Sequence, residues 1–127
     1  NIMMQNRAFS LLELITVVII IGILGTLGLA QYGGYRESAF DREAQANLRL
    51  IVAAERVYKL ENTFFLACGD RSCINTNLRL LLSVADWSYQ TTSAAAATCA
   101  QATRVGGNAR NWRLRHNEAD PLSGTCP

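Results

Sequence analysis

The sequence predicts an α+β fold: one long N-terminal helix packed on a small antiparallel sheet of about three strands, stapled by disulfides. Three observations carry this. Residues 9–32 are almost wholly apolar, and residues 36–61 repeat apolar side chains at three- and four-residue steps, so helical periodicity runs through the first half. The last third alternates apolar with polar residues, which is the period of a strand. Four cysteines, Cys68, Cys73, Cys99 and Cys126, all lie outside the apolar run. The organisation that follows is a short mixed segment over residues 1–8, a helix over 9–61 with 9–32 as its apolar segment, and a globular head over 62–127.

With the apolar segment set aside, roughly a hundred residues remain, enough for one modest domain. A net charge of +2 is too small to imply a polyanionic partner. An even set of cysteines behind an export-type N-terminus reads as two disulfides in an oxidising compartment. Zinc is the competing reading, but Cys-x4-Cys is poor finger spacing and the chain has a single histidine, His116. Three pairings are open; proximity favours Cys68 with Cys73, leaving Cys99 with Cys126 to pin the last residues.

Residues 1–8 are mixed in character, with Arg7 just before the apolar run. The chain begins with Asn1 rather than Met, as expected of a fragment or a misplaced start. As a helix, residues 9–32 would extend roughly 35 Å, enough to span a ~30 Å hydrocarbon core. Gly28-Leu29-Ala30 is a weak candidate for signal cleavage after this core; a cut before it would leave the segment on the mature protein as an anchor. Glu13 is the one acid inside it, and a carboxylate at the centre of a membrane helix costs about 3 kcal/mol. Such a residue is a candidate functional site. The alternative is an acid snorkelling to the membrane surface from one turn inside the helix end.

Ala8-Phe9-Ser10-Leu11-Leu12-Glu13, followed by an apolar helix with Ile21-Gly22-Ile23-Leu24 at its middle, resembles the processing and assembly signature of type IV pilins and type II secretion pseudopilins. The resemblance covers about residues 9–35. It departs from the family at Ala8, where the family has Gly, and in lacking a proline late in the helix; Gly25, Gly28, Gly33 and Gly34 would loosen it instead. The resemblance implies cleavage between Ala8 and Phe9 by a prepilin peptidase, N-methylation of Phe9, and assembly of identical subunits into a helical filament. Glu13 of one subunit would pair with the Phe9 amine of a neighbour; either charge alone is costly in oil, so the pair penalises wrong registers. The implied subunit sits in the inner membrane, meets the pilus assembly machinery, and ends in an extracellular type IV pilus-like filament. The first alternative is a pseudopilin in a short periplasmic filament. Major pseudopilins usually carry calcium ligands in a C-terminal loop, where this chain has only Glu118 and Asp120, so the sequence favours the pilus. The second is a membrane-anchored exported binding module that never polymerises, or a DNA-uptake minor pilin.

Within residues 36–61, Phe40, Ala44, Leu48, Ile51, Ala54 and Tyr58 form one apolar stripe. Arg36, Asp41, Arg42, Glu43, Arg49, Glu55, Arg56 and Lys59 occupy the remainder and read as a solvated face and lateral subunit contact. Gly33-Gly34 is the expected bend between the helix halves. Phe9, Tyr32, Tyr35, Phe40 and Tyr58 line this helix; interfacial and core packing explains them better than electron conduction, and no haem-attachment motif is present. Phe64, Phe65 and Leu66 are expected to plug the core, and Thr76-Asn77 to cap a short helix carrying Leu78, Leu81, Leu82 and Ala85. Strands are expected over residues 87–91, 96–104 and 111–116, with Gly106-Gly107-Asn108 as a turn.

No catalytic constellation, phosphate loop or paired-acid motif is present, so neither an enzyme nor a cofactor or metal protein is expected. His116 stands alone on a strand's apolar face. Arg110, Arg113 and Arg115, with Arg104, make the final hairpin locally basic and are the candidate DNA contacts. An ordinary solvated strand face explains them better, and nucleic acid is not an expected partner.

Overall fold

The computed structural model describes residues 8–83, 85–94 and 96–127. Its elements are helix α1 (Leu11–Asn62), helix α2 (Arg71–Asn77) and strands β1 (Trp87–Ala94), β2 (Ala97–Arg104), β3 (Asn111–Arg115) and β4 (Leu122–Ser123). The chain divides into two compact units, one ending at Ser38 and the other comprising Ala39–Pro127. Apart from Ala8, the expected leader lies outside the described residues. α1 is helical through Gly33 and Gly34, and the boundary between the units falls a turn further on.

In the second unit the sheet is antiparallel throughout, in the order β1-β2-β3-β4. It has four strands where the sequence predicts about three. The fourth is only two residues long, too short to show any period, and pairs Leu122 with Arg113 and Ser123 with Trp112. β1 runs three residues beyond its expected end, whereas β3 stops one residue earlier, at Arg115. β1 alternates as its sequence requires, turning Trp87, Tyr89 and Thr91 inward.

β2 is alanine-rich and poor by propensity, yet its register explains it. Ala102 lies between Tyr89 and Trp112, and Ala100 between Thr91 and Leu114. Each row is large, small, large, and the two alanines are fully buried in the same core as Ala44, Leu48, Ile51 and Val52 of α1. On the other side of β2, Cys99 is bonded to Cys126, and the Gln101 Oε1 accepts the Cys126 N–H at 2.8 Å. Gly106 and Gly107 both take positive φ in the β2–β3 connection, which an L side chain rarely adopts.

Two local expectations are corrected. The short helix is Arg71–Asn77, not a segment beginning at Thr76-Asn77. Asp70 caps it, its carboxylate accepting the Cys73 N–H at 2.8 Å, and Leu78 lies just past its end. Leu78 and Leu82 still reach the core as loop residues, while Leu81 is fully exposed. Of the three expected plugs, Phe65 is buried and Leu66 partly so, but Phe64 stays outside, edge-on to Tyr58. Both disulfides pair as proximity suggests, Cys68 with Cys73 and Cys99 with Cys126, at Cα separations of 5.5 and 5.9 Å.

Leu48 is fully buried at the centre of this core. Leu48→Ala is expected to lower unfolding free energy by about 3 kcal/mol, and Leu81→Ala by less than about 0.5 kcal/mol, in denaturant titrations of detergent-solubilised protein. Equal losses at the two sites would contradict this core.

Candidate functional site

In the first unit every residue of 8–36 is exposed. α1 is long and apolar enough to cross a membrane, and none of its apolar window is buried. An apolar surface this large is not what a monomer presents to water. Two hydroxyls on that surface are satisfied by the helix itself. The Thr16 hydroxyl donates to the Leu12 carbonyl at 2.7 Å and the Thr26 hydroxyl to the Ile23 carbonyl at 2.8 Å, so neither needs water. Ala8, Phe9 and Ser10 precede the helix, and the Ser10 carbonyl accepts the Leu14 N–H at 3.1 Å. Glu13 lies in the first turn, where a carboxylate meets the positive end of the helix dipole.

The head is locked by a buried acid. Glu55 has no exposed surface, although the sequence counts it among solvated charges. Its Oε2 accepts the Leu66 N–H at 2.8 Å, while its Oε1 is buried with no hydrogen-bond partner. Burial pushes its pKa up; the Leu66 N–H and the Thr91 hydroxyl pull the other way without reversing the shift. Thr91 extends the joint, its hydroxyl donating to the Leu66 carbonyl at 3.0 Å and accepting the Cys68 N–H at 2.9 Å. Nearby, burial and the charges of Glu43 and Asp86 raise the Tyr89 phenol to about 12, against the opposing Asn47 hydrogen bond.

The side chains of Arg104, Arg110 and Arg113 in the final hairpin are engaged within the head. Arg104 Nη1 meets the Asp86 carbonyl at 2.7 Å and its carboxylate at 3.3 Å. Arg110 pairs with Asp41, which also accepts the Trp112 indole N–H at 3.1 Å. Arg113 pairs with Glu118 at 2.9 Å, and Arg115 offers its backbone N–H to the same acid at 3.0 Å. Desolvation would raise the Glu118 pKa, but the Arg115 N–H and Arg113 guanidinium hold it below the ordinary range. Of the candidate DNA contacts, Arg110 and Arg113 thus each hold a carboxylate. Asp120 pairs with Arg49 at 2.9 Å, so the two acids weighed as calcium ligands each face a cation. Among the described residues no three His, Cys, Asp or Glu side chains cluster to hold a metal. His116 lies just past β3, its Nδ1 accepting the Thr98 N–H at 3.3 Å.

Two positions carry more than their sequence pattern suggests. Glu55 falls four residues after Ile51 on the buried side of α1, a signal present in the spacing. Asp41 has no such signal, because its partners are about seventy residues away.

The chain is 33% identical over 61 residues to the type II secretion system core protein G of Klebsiella pneumoniae, covering 48% of this chain and 44% of that protein. It is 34% identical over 58 residues to the protein of the same name from Escherichia coli (strain K12), covering 46% and 40%. The chain thus spans less than half the length of the curated relatives it matches. No family model and no solved structure matches it. These similarities support the pilin and pseudopilin family that the N-terminal segment resembles, as does the fold, an apolar N-terminal helix with a disulfide-stapled antiparallel sheet.

The buried Glu55 has a pH signature. Its folded pKa is raised above the ordinary 4.5, so its stabilising share is complete below that value and is lost as pH rises through the raised one. Glu55→Gln removes the ionisation. The stability difference between variant and wild type, followed by thermal melts from pH 4 to 8, is expected to shift toward the variant as pH rises; a flat difference would show that Glu55 does not titrate in this window.

Proposed function

We propose that this chain is a structural subunit of the pseudopilin type in a type II secretion system, anchored by the apolar half of α1 and polymerising through it. The observation that carries this is a membrane-length helix segment, exposed on every side, in a chain whose second unit has a complete stapled core of its own. Lipid covers such a segment before assembly, and neighbouring copies cover it afterwards.

The similarity to type II secretion core protein G favours the pseudopilin over the type IV pilus that the sequence reading placed first. That preference rested on too few calcium ligands in the C-terminal loop, and the Cys99–Cys126 disulfide tethers that segment by other means. The role is structural rather than enzymatic. Cleavage after Ala8 by a prepilin peptidase exposes the Phe9 amine, largely protonated at neutral pH with an unperturbed pKa near ~7.7. Glu13 of a neighbour pairs with it and sets the axial stagger. Because either charge alone is costly in oil, the contact discriminates registers more than it stabilises the filament. The filament grows through a heterologous contact that does not close.

Mass spectrometry of the mature chain is expected to find methylated Phe9 as the first residue; an intact leader supports a static anchor instead. Glu13→Val is expected to insert in the membrane as wild type does and to reduce filament incorporation by about tenfold or more, as loss of one partner of a buried pair implies. Normal filaments from the valine variant would exclude the pairing.

A further inference from the structure

The sheet carries a recess on the face turned away from the core, at the end where β1 and β2 meet. Thr91 of β1 faces the core, so Thr92 and Ala94 face away from it. The register sets Thr92 beside Cys99 and Cys99 beside Arg115, and sets Ala94 beside Ala97. These residues, with Asn117 and Pro127, surround a volume of about 370 Å³. The Cys99–Cys126 disulfide keeps Pro127 beside it. Ala94 and Ala97 give it a small apolar floor.

Its chemistry is cationic. Arg113 and Arg115 lie on the same face of β3, but only Arg113 holds an acid, Glu118, at 2.9 Å. Arg115 gives Glu118 its backbone N–H, and its guanidinium has no hydrogen bond or ion pair among the described residues. Its Nε is buried without an acceptor. A charged group's N–H shut off from water and left unpaired is costly, and rare enough in folded proteins to point to a missing partner. Thr92 and Asn117 add a hydroxyl and an amide, neither used in a side-chain hydrogen bond among the described residues. His116 also borders the recess, its Nδ1 already taken by the Thr98 N–H.

One guanidinium with two neutral donors suits a singly charged carboxylate, whose two oxygens match the planar fork of arginine. A phosphate dianion calls for more positive charge than this. Thr92, Ala94, Ala97, Asn117 and Pro127 are exposed, so the recess is open. It receives a side chain reaching in from outside rather than enclosing a free small molecule.

We propose that this recess binds the carboxylate of an aspartate or glutamate side chain on a peptide of another protein, with Arg115 as the anchoring cation. No part of the anchor helix takes part, so this site and the secretion-filament role can fail separately.

The experiment is an NMR titration of the nitrogen-labelled full chain in detergent micelles, with acetyl-Glu-amide as the probe. The Arg115 Nε–H resonance is expected to shift saturably at millimolar probe, while that of Arg113, already engaged by Glu118, stays in place. Acetyl-Gln-amide, of the same size but uncharged, is expected to bind about tenfold more weakly or worse. Arg115→Gln, followed at the Ala97 backbone amide, is expected to weaken binding of the acid about tenfold or more. Ala97→Leu is expected to block binding by filling the floor while leaving Arg115 in place. Retained native disulfides show that either variant folds. No shift at Arg115, equal shifts at Arg113 and Arg115, or binding untouched by Arg115→Gln overturns the proposal. So does tighter binding of inorganic phosphate, which would make the recess a phosphate site. The same shift produced by concentrating the chain alone would assign the carboxylate to a second copy and overturn the peptide partner.

Discussion

The head depends on a carboxylate placed where water does not reach. Glu55 takes the Leu66 N–H, Thr91 takes the Cys68 N–H and gives to the Leu66 carbonyl, and Cys68 exchanges both backbone hydrogen bonds with Thr91. Between them these groups tie the end of α1, the connecting segment and the first strand at one point. An irregular segment entering a core brings backbone groups that need partners, and unpaired ones cost on the order of 1–3 kcal/mol each. One acid and one hydroxyl supply those partners here, at the expense of an Oε1 that is left without any.

A second tie lies along the other end of the head's helix. Asp41 receives both the Arg110 guanidinium and the Trp112 indole, while Arg104 covers the Phe40 ring at 4.3 Å and meets Asp86. These contacts join α1 to residues far along the chain, so they report tertiary placement rather than local preference. They also give a structural use to side chains that, counted in sequence, look like a basic surface. A cation already shared with a carboxylate and an aromatic face is a weaker phosphate ligand than a free one.

The two units solve different problems of burial. In residues 39–127 apolar side chains find a core, small alanines sit between large neighbours, and disulfides close the ends. In residues 8–36 nothing is buried, and the Thr16 and Thr26 hydroxyls bond to carbonyls of their own helix. A membrane or a neighbouring copy must finish what the chain leaves open there. The membrane-length helix and the similarity to type II secretion core protein G are the observations on which the proposed assembly rests.

The helix could be read from residues alone, because apolar length and three-to-four periodicity are local properties that the backbone obeys without help. So could the inward face of β1 and the glycine turn, each set by spacing, whereas for the cysteines three pairings stayed open and proximity only favoured the one the structure shows. The positions that escaped such reading depend on what each residue meets once the chain folds. A two-residue β4 exists only because β3 is there to pair with it. The helix at Arg71–Asn77 starts at Asp70 because that carboxylate reaches the Cys73 N–H, although the leucines after it promise a helix further on. Glu55 reads as a surface charge until the sheet closes over it, since burial is a property of what packs above a residue and not of the residue itself.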